Sequence, residues 1–208
     1  MGLKLHNYNE TILIAMNYFG DKFNSINMLE LGNQKIRGKT YPIDHPCRKF
    51  NTTKEYFKSL GINHISVDIN GKNGALSLNL GVPFNKVEWL GYFDCVTNLG
   101  TLEHVDIDGL NGQYNAFKNV HDCTKVNGLI VHVLPLNLRG HCPYSYQEGI
   151  IEKLASFNEY ILIHKNITPR GIDGALFRIV YKKNTDYNFM SFEDFIMMNE
   201  IKNIDGAK

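Results

Sequence analysis

Asn27-Met28-Leu29-Glu30-Leu31-Gly32 decides the reading of this chain: a short apolar run that stops at a glycine is a buried strand delivered into a turn. Upstream, Ile12, Met16 and Phe19 recur at helical spacing, so a helix is expected over 7–19. Asn7 and Glu10 are its capping pair and Gly20 its stop. Downstream, a polar connection from Asn33 to Lys49 leads to a second helix. Its signals are Thr52 with Glu55 as a capping box, then Tyr56, Phe57 and Leu60, then Gly61. The extended segment His64 to Asn70 then completes a βαβ unit with the first strand.

The pattern repeats. Phe93 to Asn98 reads as a buried strand, Asp108 to Thr124 as a helix with Leu110, Tyr114, Phe117 and Val120 on one face, and Leu129 to Leu134 as the next strand. Ser145 with Glu148 signals a further helix carrying Ile150, Ile151 and Leu154, and strands are expected at Tyr160 to His164 and Ala175 to Lys182. Ala75 to Leu80 also looks like a strand. It follows the preceding strand too closely for a helical crossover, which needs about a dozen residues. A tight antiparallel turn would explain this; the favoured reading is that the helix normally found here is lost. Alternating strands and helices predict an α/β fold with a mostly parallel, doubly wound sheet, in one domain over 1–208.

Bulk properties narrow the function. A net charge of +1 supplies no global field for nucleic acid or anionic membrane. Cys47, Cys95, Cys123 and Cys142 form no CxxC pair, which suits reduced thiols and a cytoplasmic protein. The apolar run Ile12 to Met16 is too short for a signal-peptide core or a membrane span, so no membrane association is expected. Met1-Gly2 lacks the Ser or Thr at position 6 that myristoylation requires; His6 stands there.

In open α/β sheets ligands bind at the carboxyl ends of the strands, where strand order reverses. The first strand therefore delivers Glu30, Gly32, Asn33 and Gln34 to a pocket, and the second delivers Asp68, a carboxylate suited to the two hydroxyls of a ribose. Only Gly32 stands in the turn where a dinucleotide's pyrophosphate demands G-x-G-x-x-G. A nucleoside cofactor without phosphate fits better, which disfavours a nucleotide-dependent oxidoreductase. Asp94, at the start of its strand, lies at the wrong end of the sheet for chemistry and is expected to be structural.

Met28-Leu29-Glu30-Leu31-Gly32, Val67-Asp68, Phe93-Asp94-Cys95-Val96-Thr97-Asn98 with Leu102-Glu103-His104-Val105, and Gly128-Leu129-Ile130-Val131-His132 resemble, in order and spacing, the landmarks of class I S-adenosylmethionine-dependent methyltransferases. The resemblance covers roughly positions 26 to 135. It implies a Rossmann-like, doubly wound, mostly parallel sheet with an antiparallel strand near the C-terminus. It implies S-adenosylmethionine as cofactor, with Glu30 and Gly32 by its methionine part, Asp68 on its ribose, and Asn98 to Leu102 beside the reacting centre. Asn79 is similar in placement to the family's adenine-contacting Asp, and the family's usual glycines are reduced to Gly32.

Methyl transfer needs a general base only where the acceptor must lose a proton. His104, His132 and His141 are the candidates. His141 is preferred, because the loop after the fifth strand commonly faces the acceptor in the family that the chain resembles. Glu103 beside His104 is similar to a metal-binding pair in some members, yet Gly100 stands where a third ligand would be, so no metal is expected. Lys35, Arg37, Lys39, Arg48 and Lys49 leave nucleic acid open as a partner. The chain after the fourth strand, Asn98-Leu99-Gly100-Thr101, lacks an Asn-Pro-Pro-Tyr-like motif. This argues against exocyclic-amine DNA methylation; the preferred acceptor is an oxygen or nitrogen of a small molecule, with a non-catalytic cofactor- or partner-binding module as the alternative.

Overall fold

A computed structural model describes residues 2–138, 142–170 and 174–204. The strands are β1 (Gly2–Leu3), β2 (Asn27–Leu31), β3 (Lys35–Ile36), β4 (Asn63–Val67), β5 (Phe93–Leu99), β6 (Thr124–Leu136), β7 (Tyr144–Tyr146), β8 (Ile161–Arg170), β9 (Gly174–Lys182) and β10 (Ile201–Asn203). The helices are α1 (Leu5–Asn7), which runs through a π-helical turn at Tyr8–Ile12 into α2 (Leu13–Phe19), then α3 (Thr53–Ser59), α4 (Gly109–Cys123), α5 (Ile150–Phe157) and α6 (Phe192–Met197).

β2 lies between β4 and β5, parallel to both, and β5 is parallel to β6. β9 inserts between β6 and β8, antiparallel to each. The order β4-β2-β5-β6-β9-β8 therefore reverses direction between β2 and β5, the place where a doubly wound sheet opens a crevice. β7 adds one parallel bridge at the end of β6 and pairs antiparallel with β10.

Strand alternation sorts the core into two layers. Leu29, Leu31, Val96, Ile130, Phe177 and Ile179 pack on the side of α4 and α5, against Phe117, Val120 and Ile151. Met28, Cys95, Leu99, Val131, Val133 and Val180 face the other side, against Ile12 and Ala15 of the N-terminal helix and Tyr56 and Phe57. Helices thus cover both faces, as the alternating pattern implied. All four cysteines are buried and free. Among the described residues no helix is long and apolar enough to cross a membrane.

Several local expectations are met. The Thr52–Glu55 capping box is present, with both reciprocal hydrogen bonds. Asp94 is structural: its carboxylate accepts the N–H of Asn27 at 2.8 Å and the Lys125 ammonium at 2.8 Å. The polar connection 33–49 is not a loose loop. β3 pairs with β1, and Tyr41 and His45 pack their rings on Tyr8.

Others are corrected. Asn7 does not cap the first helix, which begins at Leu5; its side chain instead accepts from Arg178 at 2.9 Å. Ser145 and Glu148 form no capping box, because Ser145 is in β7 and the helix starts at Ile150 behind Gly149. Ala75 to Leu80 is not a strand. Only Leu76 makes a bridge to Val67, and it is parallel, which rules against the antiparallel turn. Between β4 and β5 there are only 3-10 turns at Lys72–Gly74 and Val87–Trp89, so the crossover helix is absent. Helix α4 supplies the missing partners. Asn119 Nδ2 donates to the carbonyls of Leu80 and Val82 at 3.0 and 2.8 Å, its Oδ1 accepts from Phe84 N at 2.9 Å, and Asn115 Nδ2 donates to Gly81 O at 3.0 Å. Two asparagines one helical turn apart thus satisfy a backbone segment that has neither helix nor ladder of its own.

Candidate active site

A cavity of about 450 Å³ opens at the carboxyl ends of β4, β2 and β5. Gly32, Asn33 and Gln34 line it from the turn after β2, Asp68 and Ile69 from the end of β4, and Gly100, Thr101 and His104 from the segment after β5. Leu78 and Asn79 close one side and Val105 to Ile107 the other.

The β2 turn is pressed against the β5 turn. Gly32 has φ +87°, and a Cβ there would collide with Thr101 Oγ1, so any other residue at this position is strained. Thr101 Oγ1 donates to Leu31 O at 2.9 Å and accepts from Gln34 Nε2 at 3.1 Å, fastening the two turns together. Asp68 ties in the third: Oδ2 accepts from Asn33 N at 2.9 Å and Oδ1 from Asn70 N at 3.0 Å. A carboxylate oxygen that holds one donor retains a further acceptor site, so Asp68 can both brace the turns and receive hydroxyl groups. Asn79 Oδ1 is engaged by Gly81 N at 2.9 Å.

Three of the expected residues stand behind the cavity wall. Glu30 is buried on the α3 face because it alternates with Leu29 and Leu31; its Oε2 accepts from Thr53 Oγ1 at 2.6 Å. Burial pushes its carboxyl up to about 8, while burial first, then Lys54 and Lys58, push the neighbouring His64 down to about 3. The His64 and Glu30 side chains, 3.7 Å apart, are therefore a neutral pair rather than an ion pair at pH 7. Asn98 is wholly buried and holds the β5 turn, its Oδ1 accepting from Thr101 N at 3.0 Å and Leu102 N at 3.1 Å. Glu103 is also wholly buried, with neither oxygen hydrogen-bonded, and burial raises it to about 7.

His104 reaches the cavity, with its side chain 44% exposed and its Nε2 4.0 Å from Glu103 Oε1. His132 does not, which corrects its candidacy as a base. It is buried against Phe117, its Nδ1 meets Asn98 Nδ2 at 3.3 Å, and burial pushes it down to about 3. His141 lies outside the described residues. Among the described residues no three His, Cys, Asp or Glu side chains converge as a metal site.

The sequence reading missed Gln113. From α4 it donates to Leu102 O at 2.8 Å and Val105 O at 2.7 Å, and its Oε1 accepts from Tyr146 at 2.9 Å, so it sets the segment that carries Glu103 and His104. A buried glutamine in a helix otherwise apolar on that face was the available signal. Ile69, Leu78 and Ile107, the apolar part of the lining, were equally unmarked because they come from irregular segments.

No family model matches the chain, and no curated protein matches it in sequence. Solved structures do match in shape. The 1,6-didemethyltoxoflavin-N1-methyltransferase of Burkholderia thailandensis, with 1,6-didemethyltoxoflavin and S-adenosylhomocysteine bound, aligns with TM-score 0.53 and 11% identity over 88% of this chain and 80% of that one. The geranyl diphosphate C-methyltransferase of Streptomyces coelicolor A3(2), in complex with Mg2+, geranyl diphosphate and S-adenosyl-L-homocysteine, aligns with TM-score 0.54 and 11% identity over 86% and 82%. By this overall match the chain has the class I S-adenosylmethionine-dependent methyltransferase fold.

Proposed function

We propose that the chain is an S-adenosylmethionine-dependent methyltransferase acting on an oxygen or nitrogen of a small molecule. One observation carries this reading: the cavity sits where strand order reverses, with the Asp68 carboxylate on its wall and no run of glycines for a pyrophosphate. In this reading Asp68 takes the ribose hydroxyls, and Asn79 with Ile69, Leu78 and Ile107 receives the adenine. Gly32, Asn33 and Gln34 lie along the methionine part, while Glu30 and Asn98 brace the turns from behind. Both solved neighbours carry S-adenosylhomocysteine and a small-molecule substrate by their descriptions, which supports the same assignment here.

The transferred carbon is already electrophilic in the sulfonium cofactor, so the chain's own work is to align the acceptor and remove its proton. His104, on the wall beside Thr101, is the base, and Glu103, its Oε1 4.0 Å from the His104 Nε2, is a positioning residue behind it. Incubation with methyl-labelled cofactor and a small-molecule extract tests the reading. Label in a small molecule, lost in His104→Ala while cofactor affinity stays, supports it. Cofactor binding with no transfer to small-molecule, RNA or protein extracts would instead identify a non-catalytic module.

A further inference from the structure

At the end of the sheet beyond β6, the fold buries a guanidinium that forms no ion pair among the described residues, with Glu10 the acid that acts on it from a distance. Arg178 is 1% exposed, and its partners are neutral: Nε donates to Asn7 Oδ1 at 2.9 Å and Nη1 to Thr168 Oγ1 at 2.6 Å. Its Nη2 is buried with no partner. Arg170 stands beside it, with Nη2 3.1 Å from His6 Nε2 and a buried Nε that also lacks a partner. Among the described residues no carboxylate comes within salt-bridge distance of either guanidinium; the acid of this region, Glu10, is bound to His164 at 2.8 Å. The His6 imidazole lies in the same field: burial lowers it first, Arg178, Arg170 and Lys4 lower it further, and Glu10 opposes them. Burying a cation is costly unless it is paired and hydrogen-bonded, and unused guanidinium N–H donors are the complement of an oxyanion.

The cluster sits on the same sheet edge as the cavity. Arg178 is opposite Val133 in β6, and Ala175 of β9 is opposite Leu136, at the carboxyl end of that strand. On the other side, Gly2 and Leu3 of β1 pair with Lys35 and Ile36, which directly follow the cavity residue Gln34.

We propose that Arg178 and Arg170, flanked by His6, bind an oxyanion, a carboxylate or phosphate group carried by the methyl acceptor. The word acceptor rests on the methyltransferase reading; the oxyanion site does not. Inorganic phosphate and acetate, each compared with chloride at equal ionic strength, test the site by thermal shift and calorimetry at pH 7. At least one of the two ions is expected to raise the midpoint of the wild type beyond chloride, and the effective ion names the group. Arg170→Gln, which leaves Arg178 with Asn7 and Thr168, is expected to weaken that ion about tenfold or more. No effect of either ion beyond chloride, or an unchanged response in Arg170→Gln, overturns the site. S-adenosylhomocysteine titrated into both proteins separates the two readings. Cofactor binding without an oxyanion effect removes this site and leaves the methyltransferase; an oxyanion effect without cofactor binding removes the acceptor assignment.

Discussion

Asp68 Oδ2 accepts the backbone N–H of Asn33 at 2.9 Å, so the carboxylate that ends β4 is tied to the turn that follows β2. Asp68→Ala removes both this brace and the proposed ribose acceptor. S-adenosylhomocysteine affinity should fall by about 10- to 100-fold, the worth of a charge-assisted hydrogen bond. Calorimetry reads the change directly, and unchanged affinity would remove the ribose assignment.

Gly32→Ala places a Cβ at φ +87° against Thr101 Oγ1. Strain of this kind costs about 1–3 kcal/mol, and cofactor affinity should drop with it. Thr101→Ala in the same chain removes the colliding atom, so the double mutant should recover part of the loss; the two substitutions should be non-additive in denaturant unfolding.

Asn119→Leu deletes the clamp on the segment 80–84. Phe84 N and the carbonyls of Leu80 and Val82 lose their partner, at a cost of about 2–4 kcal/mol. A lowered midpoint together with weakened S-adenosylhomocysteine binding is expected, because Asn79 and Leu80 line the cavity. A mutant as stable as wild type would show that water replaces the asparagine.

The buried titratable groups set a pH dependence. Glu30 and Glu103 rise from 4.5 to about 8 and about 7, so the folded state holds protons that the unfolded chain releases. Their contribution is full below pH 4.5 and is lost as pH rises through 7 to 8. His64, His132 and His121 fall from 6.5 to about 3, 3 and 4, so their contribution is full above 6.5 and is lost on acidification. Stability should therefore peak near pH 6.5 and fall on either side. Glu30→Gln should flatten the alkaline limb between pH 6.5 and 8 in thermal melts; an unchanged slope would assign the proton elsewhere.

Much of this architecture was legible in the sequence, and the parts that were not share a cause. β2 follows from five residues because an apolar run closed by a glycine leaves few alternatives, and the Thr52–Glu55 box forms because its partners are three residues apart. Ala75 to Leu80 misled because its apolar content is real but is used on a cavity wall, held by side chains of a helix some forty residues later. Ser145 and Glu148 had cap spacing, yet long-range pairing with Ile201 to Asn203 drew Ser145 into β7. At the site, chain order brought Gly32, Asn33, Gln34, Asp68, Asn79 and His104 to one cavity. It did not reveal that Glu30, Asn98 and Glu103 stand behind its wall, since which face a strand-end residue takes depends on the neighbouring strands. The Arg178 cluster joins residues more than 160 positions apart and has no local signature.

Calorimetric titration of S-adenosylhomocysteine into the wild-type chain tests the central claim most directly. One site per chain is expected, saturable and weakened by Asp68→Ala. No heat at millimolar ligand, with the protein shown to be folded, would contradict it.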